Sequence, residues 1–196
     1  MSKFIEAIKK NREDIIKPVG VLLAICIIIP LALSVTNKVT AKKIAELEKE
    51  NSKKNMQSLV SADDFEKCSD GGIEYYTAIK GGETAAYIFT ESAKGYGGDV
   101  SVMTAVKPDG TVAGVAILDV SNETPGLGQN AAKENFYSQY AGLKKGISLL
   151  KNGAKAGNNE VDAVTGATIT STAVTRAVNT ALDNFEKVKG ATVGEE

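Results

Sequence analysis

The sequence predicts an α+β domain, a mainly antiparallel sheet packed with helices, preceded by a single N-terminal transmembrane helix and a helical stalk. Three observations predict it. Residues 19–35 form an unbroken apolar run, residues 73–120 hold strand-like stretches, and residues 171–189 carry one apolar stripe at helical spacing. A chain of 196 residues has room for one such domain plus an appendage.

The apolar run reads VGVLLAICIIIPLALSV and carries no charge, with Lys17 and Lys38 at its flanks. At about 1.5 Å per residue it can cross a hydrocarbon core of about 30 Å. A cleaved signal peptide and a buried core helix compete with this reading. The run exceeds the usual signal core of roughly 7 to 15 residues, and a charged helical stretch follows without a break, so an uncleaved anchor is expected. Pro30 is tolerable there because neighbouring groups can satisfy the freed carbonyl. Lys3, Lys9, Lys10, Arg12 and Lys17 precede the run, against Lys38, Lys42 and Lys43 after it. This slight bias puts the N-terminus inside and the chain from Thr36 onward outside the cytoplasm. The expected division is a cytoplasmic N-terminus over residues 1–18, a membrane helix over 19–36, a stalk over 37–62 and an extracytoplasmic domain over 63–196.

Residues 41–60, AKKIAELEKENSKKNMQSLV, are rich in helix formers, with Ile44, Leu47, Met56 and Leu59 as their few apolar points. A solvated stalk and a surface helix docked on the domain are equally good readings. Next come the strands. IEYYTAIK and ETAAYIFTES are separated by Gly81 and Gly82, while DVSVMTAV and TVAGVAILDV are joined at Pro108, Asp109 and Gly110. The last junction predicts a hairpin, since proline presets φ and glycine supplies a positive one. Residues 130–140 suit a short helix, 149–151 begin one more strand, and 152–159 form a loop. In the C-terminal helix, Val174, Val178, Ala181, Leu182, Phe185 and Val188 share one face.

Lys and Arg total 23 against 24 for Asp and Glu, dispersed along the chain, which argues against a nucleic-acid partner. There is no histidine, and Cys26 and Cys68 form no CxxC pair. Histidine-based triads, common zinc sites, bis-histidine haem and cysteine-ligated iron–sulfur clusters are therefore excluded, and neither a resident metal nor a side-chain catalytic set is expected. Redox chemistry would need an organic cofactor held by backbone, hydroxyls and carboxylates.

GLGQNA at 126–131 has the GxGxxA spacing of a dinucleotide loop, but no acid lies between Glu134 and Glu160 to hold a ribose. A glycine-shaped loop explains it better. KGYGGD at 94–99 reads either as an ordinary connection or as a backbone that approaches a planar ligand beside Tyr96. NETPGLG at 122–128 sets Glu123 and Thr124 before a Pro-Gly turn that would direct them. DAVTGATITSTAV at 162–174 crowds hydroxyls at the start of the C-terminal helix. One cap, Thr170 or Ser171, would suffice for the helix. The surplus, with no acid before Asp183, suits an anion, and phosphate is the natural occupant.

DAVTGAT resembles the flavinylation motif of the FMN-binding domain in the G subunit of Rnf complexes and the C subunit of sodium-pumping NADH:quinone reductases. GYGGD, ETPGLG and the threonine motif follow one anchor in the family's order. The resemblance implies FMN attached through its phosphate to Thr168 by a flavin transferase that uses FAD and magnesium. It implies that Glu123, Thr124 and Leu127 line the isoalloxazine ring, that Tyr96 borders the pocket and that Lys151 approaches the ring's polar edge. Thr165, Gly166, Ala167 and Thr170 would surround the phosphate, and Asp162 would be recognised by the transferase. Many relatives have histidine where Asn122 stands. The implied function is electron transfer in a membrane-bound ferredoxin:NAD oxidoreductase that moves ions, beside membrane and iron–sulfur subunits. The alternatives are the C subunit of the quinone reductase, a stand-alone extracytoplasmic flavoprotein, and a non-redox module that binds a phosphate ligand.

Overall fold

A computed structural model describes residues 12–150 and 159–192. Helix α1, Arg12–Leu59, runs without interruption through Pro18 and Pro30. Its segment Ile16–Ala41 is 26 residues long with a mean hydropathy of 2.7, and none of its most apolar window is buried. The helix is thus long and apolar enough to cross a membrane, and it is not the core helix of the folded domain.

The chain divides at Asn51, and the compact unit begins at Ser52. Its frame is a five-stranded antiparallel meander in the order β1-β2-β3-β4-β5: Asp64–Asp70, Ile73–Lys80, Glu83–Lys94, Asp99–Val106 and Val112–Asp119. Alternation along each strand sorts side chains between two faces. On β3, Tyr87 and Phe89 join one cluster while Ala86 and Ile88 join the other; on β4, Val100, Val102 and Val106 oppose Met103 and Ala105. Helix α3, Thr168–Thr192, covers the first face with the expected stripe, and Val174, Val178, Ala181 and Leu182 are almost wholly buried. The second face packs on the last turns of α1 and the residues after it, through Met56, Leu59, Val60 and Ala62. Within residues 41–60, Ile44 and Leu47 are about half exposed, whereas Met56 is docked and buried.

Four strands and the hairpin at Pro108 follow the sequence expectation, but β1 does not. DFEKCSD has charges on both faces and only partial burial, so its period is faint. An edge strand needs only one partner, and here β2 supplies the register, with Lys67 and Glu74 paired at 2.9 Å across the strands. The expected short helix over 130–140 is instead a 3-10 turn Gly128–Ala132, one helical turn α2 at Glu134–Tyr137 and a second 3-10 turn Ser138–Tyr140. Phe136 and Tyr140 pack edge to face here, 5.7 Å apart, and the Tyr140 hydroxyl pairs with Thr175 Oγ1 at 2.8 Å.

The strand expected from 149 is β6, Ser148–Leu150, which pairs in parallel with β7, Glu160–Asp162. Lys151 and most of the expected loop after it lie outside the described residues. Asn179 of α3 anchors β6: its Oδ1 accepts the N–H groups of Gly146 and Ile147, and its Nδ2 donates to the Ile147 carbonyl at 2.8 Å. From β7 the chain turns through Gly166, whose φ of 76° lies in the left-handed region, and enters α3 at Thr168, three residues ahead of the expected Ser171.

Candidate functional site

Three segments meet where α3 begins. The first is the turn after β3, closed by the Gly95 N–H donating to the Gly98 carbonyl at 2.8 Å. The second is the Pro-Gly turn, in which the Thr124 carbonyl accepts the N–H of Leu127 at 3.1 Å. The third is the turn at Gly166 with the first residues of α3. Between them lies a cleft of about 540 Å³, a volume within the usual range for small-molecule sites. Tyr96, Glu123, Thr124, Leu127, Gly166, Ala167, Thr168 and Thr170, all singled out in the sequence, line it together. Gly128 and Ile169 complete the lining and were not singled out. Ile169 carried a legible signal, since an apolar residue in the first turn that falls off the core stripe must face something else.

Thr165 and Asp162 stand apart from this group. They line a neighbouring, more polar hollow of about 340 Å³ with Asn130, Lys133, Asn135 and Gln139. The Asp162 N–H donates to Gln139 Oε1 at 2.9 Å, and the Asp162 side chain is exposed. Asn122 is exposed; its carbonyl packs under Gly97 and its side chain against Gly98.

The crowded hydroxyls differ in their engagement. Thr170 Oγ1 donates to the Glu123 carboxylate. Ser171 Oγ donates to the Ala167 carbonyl at 2.9 Å and accepts the Val164 N–H at 3.0 Å. Thr172 donates to the Thr168 carbonyl, and Thr175 to that of Ser171. Thr170 and Ser171 therefore sit inside the helix and bond elsewhere, not as its cap. Among the described residues only the hydroxyls of Thr165 and Thr168 in this stretch have no partner, and only Thr168 lines the cleft.

The first backbone bond of α3 runs from the Ser171 N–H to the Ala167 carbonyl at 2.9 Å, so the N–H groups of Thr168, Ile169 and Thr170 stand ahead of the helical ladder. No acid lies in the helix's own first turn. Glu123, from another segment, brings a carboxylate close to that turn through Thr170. Burial opposes its ionisation, but the Thr170 hydroxyl and the N–H groups of Gly97, Gly98 and Tyr96 together prevail and hold the carboxyl below its ordinary range.

From Ser52 onward the large apolar side chains exposed among the described residues are Tyr96, Leu127 and Ile169, and all of them border this one cleft. Fold and cleft define a domain that presents an apolar rim and an unpartnered hydroxyl at a helix start, carried on an apolar helix. Residues 95–183, which hold the cleft, match the family described as FMN-binding domain.

Among relatives, the chain is 39% identical over 166 residues to the G subunit of the proton-translocating ferredoxin:NAD(+) oxidoreductase complex of Clostridium ljungdahlii, covering 84% of this chain and 85% of that one. It is 34% identical over 188 residues to the G subunit of the Na(+)-translocating complex of Acetobacterium woodii, covering 86% and 90%. The chain belongs to the G-subunit family of ion-translocating ferredoxin:NAD(+) oxidoreductase complexes.

Among solved structures it is similar to the C subunit of the Na(+)-translocating NADH-quinone reductase of Parabacteroides distasonis, with a TM-score of 0.52 and 27% identity over 58% of this chain. NqrC of Shewanella oneidensis matches with a TM-score of 0.50 and 25% identity. Each of these structural matches spans 61% of the solved chain, less than two thirds of its length. The apolar helix and the membership of an ion-translocating complex family make this a membrane-anchored chain.

Proposed function

We propose that the chain carries electrons as the FMN-bearing subunit of an Rnf-type complex, with FMN bound through its phosphate to Thr168. The residues present suit the cofactor. Tyr96, Leu127 and Ile169 offer apolar surface to a planar ring. Thr124 and the backbone of the Pro-Gly turn offer polar groups to its edge, and the N–H groups at the start of α3 face an anion. FMN supplies reversible electron transfer, which no side chain here can.

The observation that carries the attachment site is the Thr168 hydroxyl, exposed at the cleft and without a partner among the described residues. Attachment by a flavin transferase would join the Thr168 oxygen to the flavin-side phosphorus of FAD, with AMP as the leaving group and the hydroxyl proton taken by a base of the transferase. A phosphodiester on Thr168 would carry one negative charge, which the helix start would stabilise by about 0.3 to 1 kcal/mol. Asp162 and Thr165 sit beside the polar hollow, on the exposed side of the same turn, where the transferase can recognise them.

The partners in this reading are the membrane and iron–sulfur subunits of the complex. Residues 1–18 would face the cytoplasm and 19–36 cross the membrane, and a stalk from residue 37 would carry on the outer side a flavin domain that begins earlier than residue 63, at Ser52, where the compact unit starts. A covalent bond is useful there, because free FMN would diffuse away. Identity to the G subunits over most of both chains favours this assignment over the quinone reductase, whose resemblance is chiefly one of fold.

The test is co-expression with a flavin transferase, followed by in-gel ultraviolet fluorescence and intact mass. The expected result is a fluorescent band with a mass increment of one FMN less water. A dark band with an unchanged mass would favour the non-redox phosphate-binding module.

A further inference from the structure

Glu123 is 2% exposed, and both of its oxygens are held by the protein. Oε1 accepts the Gly97 N–H at 2.9 Å, and Oε2 accepts the Thr170 hydroxyl. The two donors lie 26 and 47 residues away along the chain, on the turn after β3 and on α3. The surrounding glycines are shaped to this carboxylate. A Cβ on Gly95 would strike Oε1, and a Cβ on Gly128 would lie 2.5 Å from Oε2 and 2.8 Å from Thr170 Oγ1. All the partners are neutral, and among the described residues no cation pairs with Glu123. Among the described residues the negative charge of Glu123 is therefore uncompensated, at a position where water is scarce and charges act more strongly than in bulk solvent.

We propose that Glu123 is a positioning residue that ties the three segments of the cleft into one wall, and that its fixed charge opposes the addition of electrons to a flavin seated there. The proposal rests on the flavin reading above and goes beyond it. Glu123 acts through Thr170 and the backbone of the 95–98 turn, and its charge lowers the flavin's reduction potential relative to the same cleft with a neutral group. The engagement of Thr170 has a second consequence. Its hydroxyl is committed to Glu123, so the phosphate is held by Thr168 and the backbone N–H groups.

Full-length flavinylated protein in detergent tests this, by dye-equilibrated redox titration together with thermal melting and intact mass. Glu123→Gln keeps the shape: its carbonyl can accept from Gly97, and its amide can donate to Thr170. The expected result is normal FMN occupancy with a midpoint potential shifted to a more positive value. An unchanged potential at full occupancy overturns the charge role.

Thr170→Val removes the strut and leaves the charge, so its melting temperature should fall, iodide quenching of flavin fluorescence should rise, and the potential should not become more positive. A positive shift equal to that of Glu123→Gln would mean that cleft collapse, not charge, governs the potential, and would also overturn the proposal. Thr170→Ser should restore wild-type melting and quenching. If Glu123→Gln does not accumulate, the threonine pair still decides, because a valine variant with wild-type melting and quenching removes the strut. Wild-type protein without covalent flavin would sink the flavin reading instead, and the melting temperatures of the threonine pair would then test the strut alone.

Discussion

At the scale of single residues, the hydroxyls of 165–175 differ in bonding far more than in composition. Within this stretch Thr168 alone combines a hydroxyl without a partner among the described residues with a place in the cleft, so Thr168→Ala should abolish covalent flavin, while Thr172→Ala, which removes only a side-chain bond to the Thr168 carbonyl, should retain it. Gel fluorescence and peptide mass read the difference. Gly128→Ala would push a methyl against the Glu123 carboxylate and Thr170, and the expected cost of such crowding is about 1 to 3 kcal/mol, seen as a lower denaturation midpoint. Thr104 offers a contrast. Its hydroxyl is fully buried in β4 and has no partner among the described residues. Thr104→Val should therefore be neutral or stabilise by up to about 1 to 3 kcal/mol.

At the scale of elements, α3 organises the site because its opposite ends meet different demands. Its middle is core, and Leu182→Ala, at 1% exposure on the sheet-facing stripe, should cost about 2 to 5 kcal/mol in chemical denaturation. Its first turn carries polar side chains whose bonds hold the adjoining turns. The apolar stripe was legible from spacing, since Val174 to Val188 repeat at helical intervals. The helix start was not, because Thr168, Ile169 and Thr170 lack core-facing periodicity and their helical state depends on the turn at Gly166 and the contact with Glu123. The same reason hid β1 and the segment 128–140. A charged edge strand and a chain of 3-10 turns take their conformation from neighbours, and local pattern records neighbours poorly.

At the scale of the whole molecule, the charge balance and the anchor set the conditions of function. Glu123 has a folded pKa below its ordinary value, so it contributes stability that is present above its unfolded pKa and is lost as pH falls through the folded one. Wild-type protein should exceed Glu123→Gln in melting temperature near neutrality, and the gap should close as the buffer is taken into the acid range below the ordinary glutamate value. A gap that persists at the acid end would show that packing, not ionisation, accounts for it. Topology has its own test. Protease added to spheroplasts should digest the portion from Thr36 onward if that portion lies outside the cytoplasm, and protection would reverse the orientation.

By itself the sequence determined what depends on neighbours close in the chain. These are the apolar helix, the alternation of the four principal strands, the hairpin at Pro108 and the stripe of α3, because helical and strand periods are local consequences of backbone geometry. Its short motifs also named eight of the residues that line the cleft, though not Ile169, and they named Asp162 and Thr165, which line the neighbouring hollow instead. The tertiary structure alone decided how those participants divide the work, because hydrogen-bond partners 26 and 47 residues apart are invisible to spacing. Folding joins Glu123 to Thr170 and Gly97, withdraws three of the crowded hydroxyls into helix and wall, and leaves the oxygen of Thr168 open to the cleft.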